Sequence, residues 1–210
     1  MAPQQLLTGV DQLASGDGFL CAVKMDRSLW CWGSNAYGQL GLGDNVARAT
    51  PTKVGALADV VGLSLGGGHT CVLRSDEKVY CWGANGAGQL GLGHYATTNQ
   101  MTGPVQGLPG NVAAMSGGGA YGQHTCAITA DGGTWCWGNN NQYQLGSSSV
   151  ANSNTAVPVT SEVLGSPVAV ARTYNGSCAI RSNGAAVCWG MFAGNGTLSA
   201  QAAPVQVVNF

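Results

Sequence analysis

The tripeptide Cys-Trp-Gly occurs four times, at Cys31-Trp32-Gly33, Cys81-Trp82-Gly83, Cys136-Trp137-Gly138 and Cys188-Trp189-Gly190. The copies stand about fifty residues apart, a period that marks propellers and other stacked arrays. A second cysteine precedes each copy by ten residues, at Cys21, Cys71, Cys126 and Cys178, so all eight cysteines fall into four identically spaced pairs. A unit of this size cannot bury a core alone and must stack on its neighbours. The 210 residues therefore read as a single repeat domain (1–210), with repeats at 10–54, 55–105, 107–159 and 161–210.

Within each repeat the pattern is that of short strands. Phe19 to Lys24 and Ser28 to Gly33 read as a hairpin turning at Met25-Asp26-Arg27. Its counterparts turn at Ser75-Asp76-Glu77, Ala130-Asp131-Gly132 and Ser182-Asn183-Gly184. Asp-Gly and Asn-Gly between apolar runs are strong hairpin signals. A short apolar segment precedes each hairpin. A closing segment such as Pro51-Thr52-Lys53-Val54 or Pro104-Val105 follows as an edge strand, where proline is tolerated. Charged residues make up only 8% of the chain and 34 residues are glycine. That balance suits many strands and tight turns, and not long amphipathic helices. The fold class is all-β, built of blades of the β-propeller type.

The ten-residue gap fixes what the cysteines do. Pairing residue i with i+10 across a hairpin leaves a turn at the centre and sets the two directly opposite each other, with Cα atoms about 4.5–5.5 Å apart. A disulfide spans that distance. The spacing predicts Cys21–Cys31, Cys71–Cys81, Cys126–Cys136 and Cys178–Cys188. A lone pair of thiols per hairpin lacks the four ligands of a structural zinc site, and Cys-x-x-Cys, the redox spacing, is absent.

The tryptophan after each second cysteine points to the opposite sheet face and is read as a core spacer between blades, whereas Trp30 and Trp135 are read as freer surface groups. His69-Thr70 and His124-Thr125 share one repeat position, which Phe19-Leu20 and Gly176-Ser177 fill in the outer repeats. They are read as structural hydrogen-bonding pairs. The Gly-Gln-Leu-Gly loops lack the Lys-Ser/Thr of a phosphate-binding loop. No nucleophile, carboxylate pair or metal cluster recurs at catalytic spacing. The chain is read as a non-enzyme without a cofactor.

A net charge of −1 and the absence of a Lys/Arg run give no reason to expect nucleic acid. No stretch reaches the roughly 18 apolar residues of a membrane span. Eight paired cysteines imply an oxidising, extracellular or periplasmic location. Met1 to Gln5 carry no signal-peptide pattern, and a mature form reconciles the two.

The residues Gly68-His69-Thr70, Trp82-Gly83, Asn85 and Gly88-Gln89-Leu90-Gly91 resemble the repeat of the regulator of chromosome condensation family. Asn35 with Gly38-Gln39-Leu40-Gly41, and Asn140 with Gln144-Leu145-Gly146, repeat the match. The fourth copy keeps Cys188-Trp189-Gly190 and loses the Gly-Gln-Leu-Gly signature. The resemblance implies four-stranded propeller blades, and the cysteine-paired form is similar to secreted bacterial members. The family usually closes seven blades, so four imply an open arc, part of a longer chain, or a ring completed by association. Its members include exchange factors, photoreceptors, enzyme inhibitors and scaffolds, so fold alone does not fix function.

The expected function is an extracellular binding module that recognises another protein or a neutral glycan through loops on a stapled scaffold. Self-assembly into a ring or fibre through open blade edges is the alternative. Three connections stand out, at 94–103, 117–123 and 147–156. They offer Tyr95, Asn99, Gln100, Tyr121, Asn152 and Asn154 as candidate binding residues, polar and aromatic with almost no charge.

Overall fold

The computed structural model describes residues 5–116, 121–148 and 151–207. Gly117 to Ala120 of the third-repeat insertion, Ser149 and Val150 of the following long connection, and Val208 of the last strand reading lie outside the described residues.

Strands β1 (Val10–Ser15), β2 (Phe19–Lys24), β3 (Leu29–Gly33) and β4 (Arg48–Lys53) form the first antiparallel sheet, in chain order from the inside out. The second sheet contains β5 (Val60–Leu65), β6 (His69–Arg74) and β7 (Val79–Gly83). The third holds β8 (Val112–Met115), β9 (His124–Thr129), β10 (Thr134–Gly138) and β11 (Ser153–Pro158). The fourth holds β12 (Pro167–Arg172), β13 (Gly176–Arg181), β14 (Ala186–Gly190) and β15 (Gln201–Gln206). These are four propeller blades.

The second blade lacks the expected outer strand at Pro104-Val105. Only two bridges remain, Tyr80 with Pro104 and Gly83 with Thr98. The connection there leaves the sheet to pack on the first blade, where the Asn99 carbonyl accepts a hydrogen bond from Gly43 N at 3.0 Å.

Each hairpin places its cysteines directly opposite, Cys21 with Cys31, Cys71 with Cys81, Cys126 with Cys136 and Cys178 with Cys188. Cα atoms lie 4.0–4.1 Å apart and all four disulfides are formed. The glycine that follows each Cys-Trp is obligatory for two reasons. Gly33, Gly83, Gly138 and Gly190 all have positive φ. A Cβ there would also meet the carbonyl of Gly18, Gly68, Gln123 or Asn175 at 2.4–2.6 Å, a distance no side chain tolerates.

Three apolar clusters hold the blades together, each between consecutive sheets. Leu29, Leu40 and Val54 of the first blade pack on Leu65, Val72 and Trp82 of the second. Leu73, Val79 and Leu90 pack on Ala127 and Trp137, and Ile128, Leu145 and Val159 on Ala179, Val187 and Trp189. Trp82, Trp137 and Trp189 are fully buried. Trp32 is only half-buried, and no other described blade packs on its face. Trp135, read from sequence as a surface group, instead packs on the cluster between the second and third blades. Trp30 is half-buried under the Lys24 ammonium, 5.7 Å from the ring centroid.

The repeat signature is an interblade latch. In each of the first three loops the asparagine side chain accepts the leucine N–H, as Asn35 does from Leu40, Asn85 from Leu90 and Asn140 from Leu145, at 2.8–3.0 Å. This turns the glutamine carbonyl outward, toward the next blade. Trp82 Nε1 donates to Gln39 O at 3.1 Å, Trp137 Nε1 to Gln89 O at 3.0 Å, and Trp189 Nε1 to Gln144 O at 2.8 Å. Thr70 and Ser177 hydroxyls donate to the same Gln39 and Gln144 carbonyls.

Candidate functional site

Two histidines complete the latch and take no part in an exposed site. His69 Nε2 lies 3.0 Å from Thr125 Oγ1, and His124 Nε2 lies 2.9 Å from Ser177 Oγ. Ser177 spends its proton on Gln144 O, so it accepts from His124, which fixes the proton on Nε2. Both rings are fully buried. Burial first, and the nearby Arg172 guanidinium second, push the His69 pKa well below its usual value and that of His124 down to about 3. Neutral histidines at this position are interblade struts, as their recurrence with a following threonine suggests.

Arg172 is the unexpected neighbour. It is 6% exposed, and its Nη2 donates across the molecule to Leu65 O at 2.6 Å, joining the fourth blade to the second. Among the described residues its Nε and Nη1 have no hydrogen-bond partner. Burial lowers its pKa to about 10, so it remains a cation at neutral pH.

Above this buried layer, at one end of the blades, a cleft of about 510 Å³ opens to solvent. The loops between the first two strands of each blade supply Asp17, Gly67, Gly68, Tyr121, Gln123 and Tyr174. The loops after the third strands supply Tyr37, Ala84, Gly86, Ala87, Asn139 and Asn141, with Asn152 beside them. All four blades contribute. The second blade presents glycine and alanine at its rim, with the nearly buried Gln89 beneath them, which makes a low floor between taller walls. A Cβ on Gly68 would touch the Tyr37 ring at 3.0 Å, and one on Gly67 the Tyr121 backbone at 3.0 Å.

Tyr37, Tyr121 and Tyr174 are 54%, 61% and 59% exposed. The rings of Tyr121 and Tyr174 stand at 88° with centroids 6.5 Å apart, the edge-to-face arrangement that fixes aromatic pairs. A row of amides lies beside them. Asn139 Nδ2 donates to Gln123 Oε1 at 3.3 Å, and Asn139 Oδ1 accepts from Asn141 N at 2.8 Å. Asn152 Oδ1 accepts from Asn140 N at 3.0 Å. Among the described residues, Asp17 is the only charged one in the lining. Among the described residues no cluster of His, Cys, Asp or Glu stands at metal-binding distance, and no helix is long and apolar enough to cross a membrane.

The six candidate residues fall in different places. Tyr121 and Asn152 line the cleft. Asn99 packs its backbone on Gly38 and donates to Asn45 Oδ1, and Gln100 lines a separate 380 Å³ concavity beside Trp82 and Met101. Asn154 lies against Gly88 and accepts from Gly93 N. Tyr95 is exposed in the 94–103 connection and does not line the cleft. These connections act as straps onto the preceding blade. Tyr37, Tyr174, Asn139 and Asn141 are not singled out by sequence, and Gln123 is marked only as the end of the 117–123 connection. The signal for Tyr174 was present, since it occupies the same inter-strand turn as Asp17 and Tyr121.

The sheets, the latch and the loop-lined cleft define a β-propeller repeat scaffold. Its residues 26–73, 76–128 and 131–180 match the family described as regulator of chromosome condensation (RCC1) repeat, and a second family of the same description matches 10–39 and 60–89. The chain belongs to the RCC1 repeat family. Among solved structures it is similar to human WBSCR16, at 26% identity and TM-score 0.83 over 94% of this chain and 51% of that one. It also resembles yeast RCC1 (Prp20) bound to Kap60, at 20% identity and TM-score 0.79 over 95% and 49%. A further structure, of Prp20p from Saccharomyces cerevisiae, is described with its binding to Gsp1p and histones, and matches at 22% identity and TM-score 0.78 over 95% and 50%. The chain thus spans about half the length of these relatives. The comparison with curated proteins finds no match.

Proposed function

We propose that this protein is an extracellular, non-enzymatic binding module that recognises a protein or a neutral glycan through the face bearing the tyrosine and amide cleft. The observation that carries the reading is the convergence of loops from all four blades on one nearly uncharged concavity. Exposed tyrosines and adaptable amides on a rigid frame are the composition of recognition surfaces. The described binding of Kap60, Gsp1p and histones by the yeast relative supports use of this fold for recognition. A net charge of −1 supplies neither the acidic field a histone tail seeks nor the basic field of a nucleic-acid binder. Four disulfides support an oxidising location. The test is capture from culture proteins and on a glycan array, comparing wild type with Tyr121→Ala/Tyr174→Ala and, as a control outside the cleft, Tyr95→Ala. Capture lost only in the cleft variant supports the reading. Equal capture by all three, or none by wild type, refutes it.

A second reading, self-assembly through blade faces, rests on a different observation. Leu13 and Ile180 are 62% and 49% exposed, whereas Ile128, at the repeat position of Ile180, is buried between blades. Half-buried Trp32 lies on the same uncovered end as Leu13. Apolar blade faces of this kind favour association, with a second copy stacking on them. Light scattering at micromolar concentration tests it. A Leu13→Lys/Ile180→Lys variant should turn an assembly into monomer, and a monomeric wild type would end the idea.

A further inference from the structure

We infer that the cleft is a subsite for a neutral saccharide, a short oligosaccharide seated on the glycine floor between the tyrosine walls. The inference rests on the binding-module reading and narrows its partner class. A pyranose ring has one face of C–H groups and an equatorial rim of hydroxyls that each donate and accept. Tyr37 stands on the first-blade side of the floor and Tyr121 with Tyr174 on the other. They offer aromatic faces for the C–H groups at low conformational cost, since tyrosine has few rotatable bonds to freeze.

The hydroxyl rim needs partners that can both donate and accept hydrogen bonds at fixed positions, which is what carboxamides supply. Gln123, Asn139, Asn141 and Asn152 line one side. The chain Gln144 Nε2 to Asn139 Oδ1 (3.5 Å) and to Asn175 Oδ1 (3.3 Å), with Asn139 to Gln123, holds them in place before a ligand arrives. Preorganisation of this sort cuts the entropic cost of binding.

The charge inventory excludes the nearest alternatives of the same size. A phosphate, sulfate or carboxylate ligand would find no Lys, Arg or His in the lining and would face Asp17. A strongly apolar ligand would have to leave the amides unsolvated and unpaired. The volume of about 510 Å³ lies within the range of small-ligand clefts and accommodates a short sugar chain lying along the floor.

Gly86 supplies a clean test. It lines the cleft, has ordinary φ, and a Cβ there would meet nothing within 4 Å. Its repeat equivalents, Ala36 and Asn141, already carry side chains. Gly86→Trp should therefore fill the cleft without disturbing the blades, which an unchanged melting temperature would verify. Calorimetric and NMR titrations would use maltotriose, cellotriose, mannotriose and tri-N-acetylchitotriose, with a sulfated heparin oligosaccharide as anionic control. At least one neutral trisaccharide should bind and the sulfated one should not. Gly86→Trp and Tyr121→Ala should each weaken binding at least about tenfold, whereas Tyr121→Phe should stay within about threefold. Absence of neutral-sugar binding, equal binding of the sulfated probe, or affinity unmoved by Gly86→Trp would each overturn the assignment. If no sugar binds but Gly86→Trp abolishes capture of a protein, the binding-module reading survives and the saccharide inference falls. If Gly86→Trp moves neither, both fall.

Discussion

Mild acid should destabilise this protein through two buried histidines. His69 and His124 are fully buried between blades, and burial together with the Arg172 cation holds both neutral, His124 with a pKa of about 3. In the unfolded chain both return to about 6.5. Between those values the unfolded state binds more protons than the native state. The stabilisation is therefore complete above about pH 6.5 and is lost progressively as pH falls below it, for His124 down to about 3. Well below pH 6.5 each histidine costs about 1.4 kcal/mol per pH unit, so the pair costs roughly 2–3. Two units of acidification would remove much of the 5–15 kcal/mol typical of a folded domain. Asp26, Asp44 and Asp131 act lower, because hydrogen bonds from Ser28, Arg48 and Thr129 hold their carboxyls below the usual range. The assay is guanidinium unfolding followed by tryptophan fluorescence at pH 7.5, 6.5, 5.5 and 4.5, with disulfides intact. Stability should fall by roughly 2–3 kcal/mol between pH 5.5 and 4.5. His124→Gln should halve that slope and His69→Gln/His124→Gln should nearly abolish it. A flat profile, or a slope that persists in the double variant, would refute the neutral-strut account.

Removing Arg172 should help the fold, because its Nε and Nη1 are buried without partners. Arg172→Met is expected to leave stability unchanged or raise it by about 1–4 kcal/mol in chemical denaturation, and to raise the histidine pKa values. Gly41 has φ +72° and a Cβ there would sit 2.6 Å from Trp82 Nε1. Gly41→Ala should therefore cost about 1–3 kcal/mol, whereas Gly103→Ala, with open space and ordinary φ, should be neutral or slightly stabilising in the same melts. Non-reducing peptide mapping should recover the four hairpin disulfides and no bridge between repeats. Reduction should cost about 2–3 kcal/mol per loop by the chain-entropy argument.

The parts legible in the sequence are those that repeat. The Cys-to-Cys spacing gave the hairpin register, and the constant offset of Trp82, Trp137 and Trp189 gave the interblade spacers. His69-Thr70 and His124-Thr125 read as structural because their alternation with Phe19-Leu20 and Gly176-Ser177 suits packing better than chemistry. The cleft was not legible in the same way. It joins Asp17, Tyr37, Tyr121 and Tyr174 from three blades, and their convergence depends on how the blades stack. Length drew attention to the 94–103 and 147–156 connections, yet the backbones of Asn99 and Asn154 pack on neighbouring blades away from the cleft. Arg172 was missed for a related reason, since its contact with Leu65 spans 107 residues and follows no local pattern.

The most direct test of the account is hydroxyl-radical footprinting of the tyrosines with and without whichever partner the capture experiment returns. Tyr37, Tyr121 and Tyr174 are all more than half exposed, as is Tyr95, which stands outside the cleft. Binding at the proposed face should protect the first three together and leave Tyr95 labelled as before. Protection centred on Tyr95, with Tyr121 and Tyr174 unchanged, would contradict it.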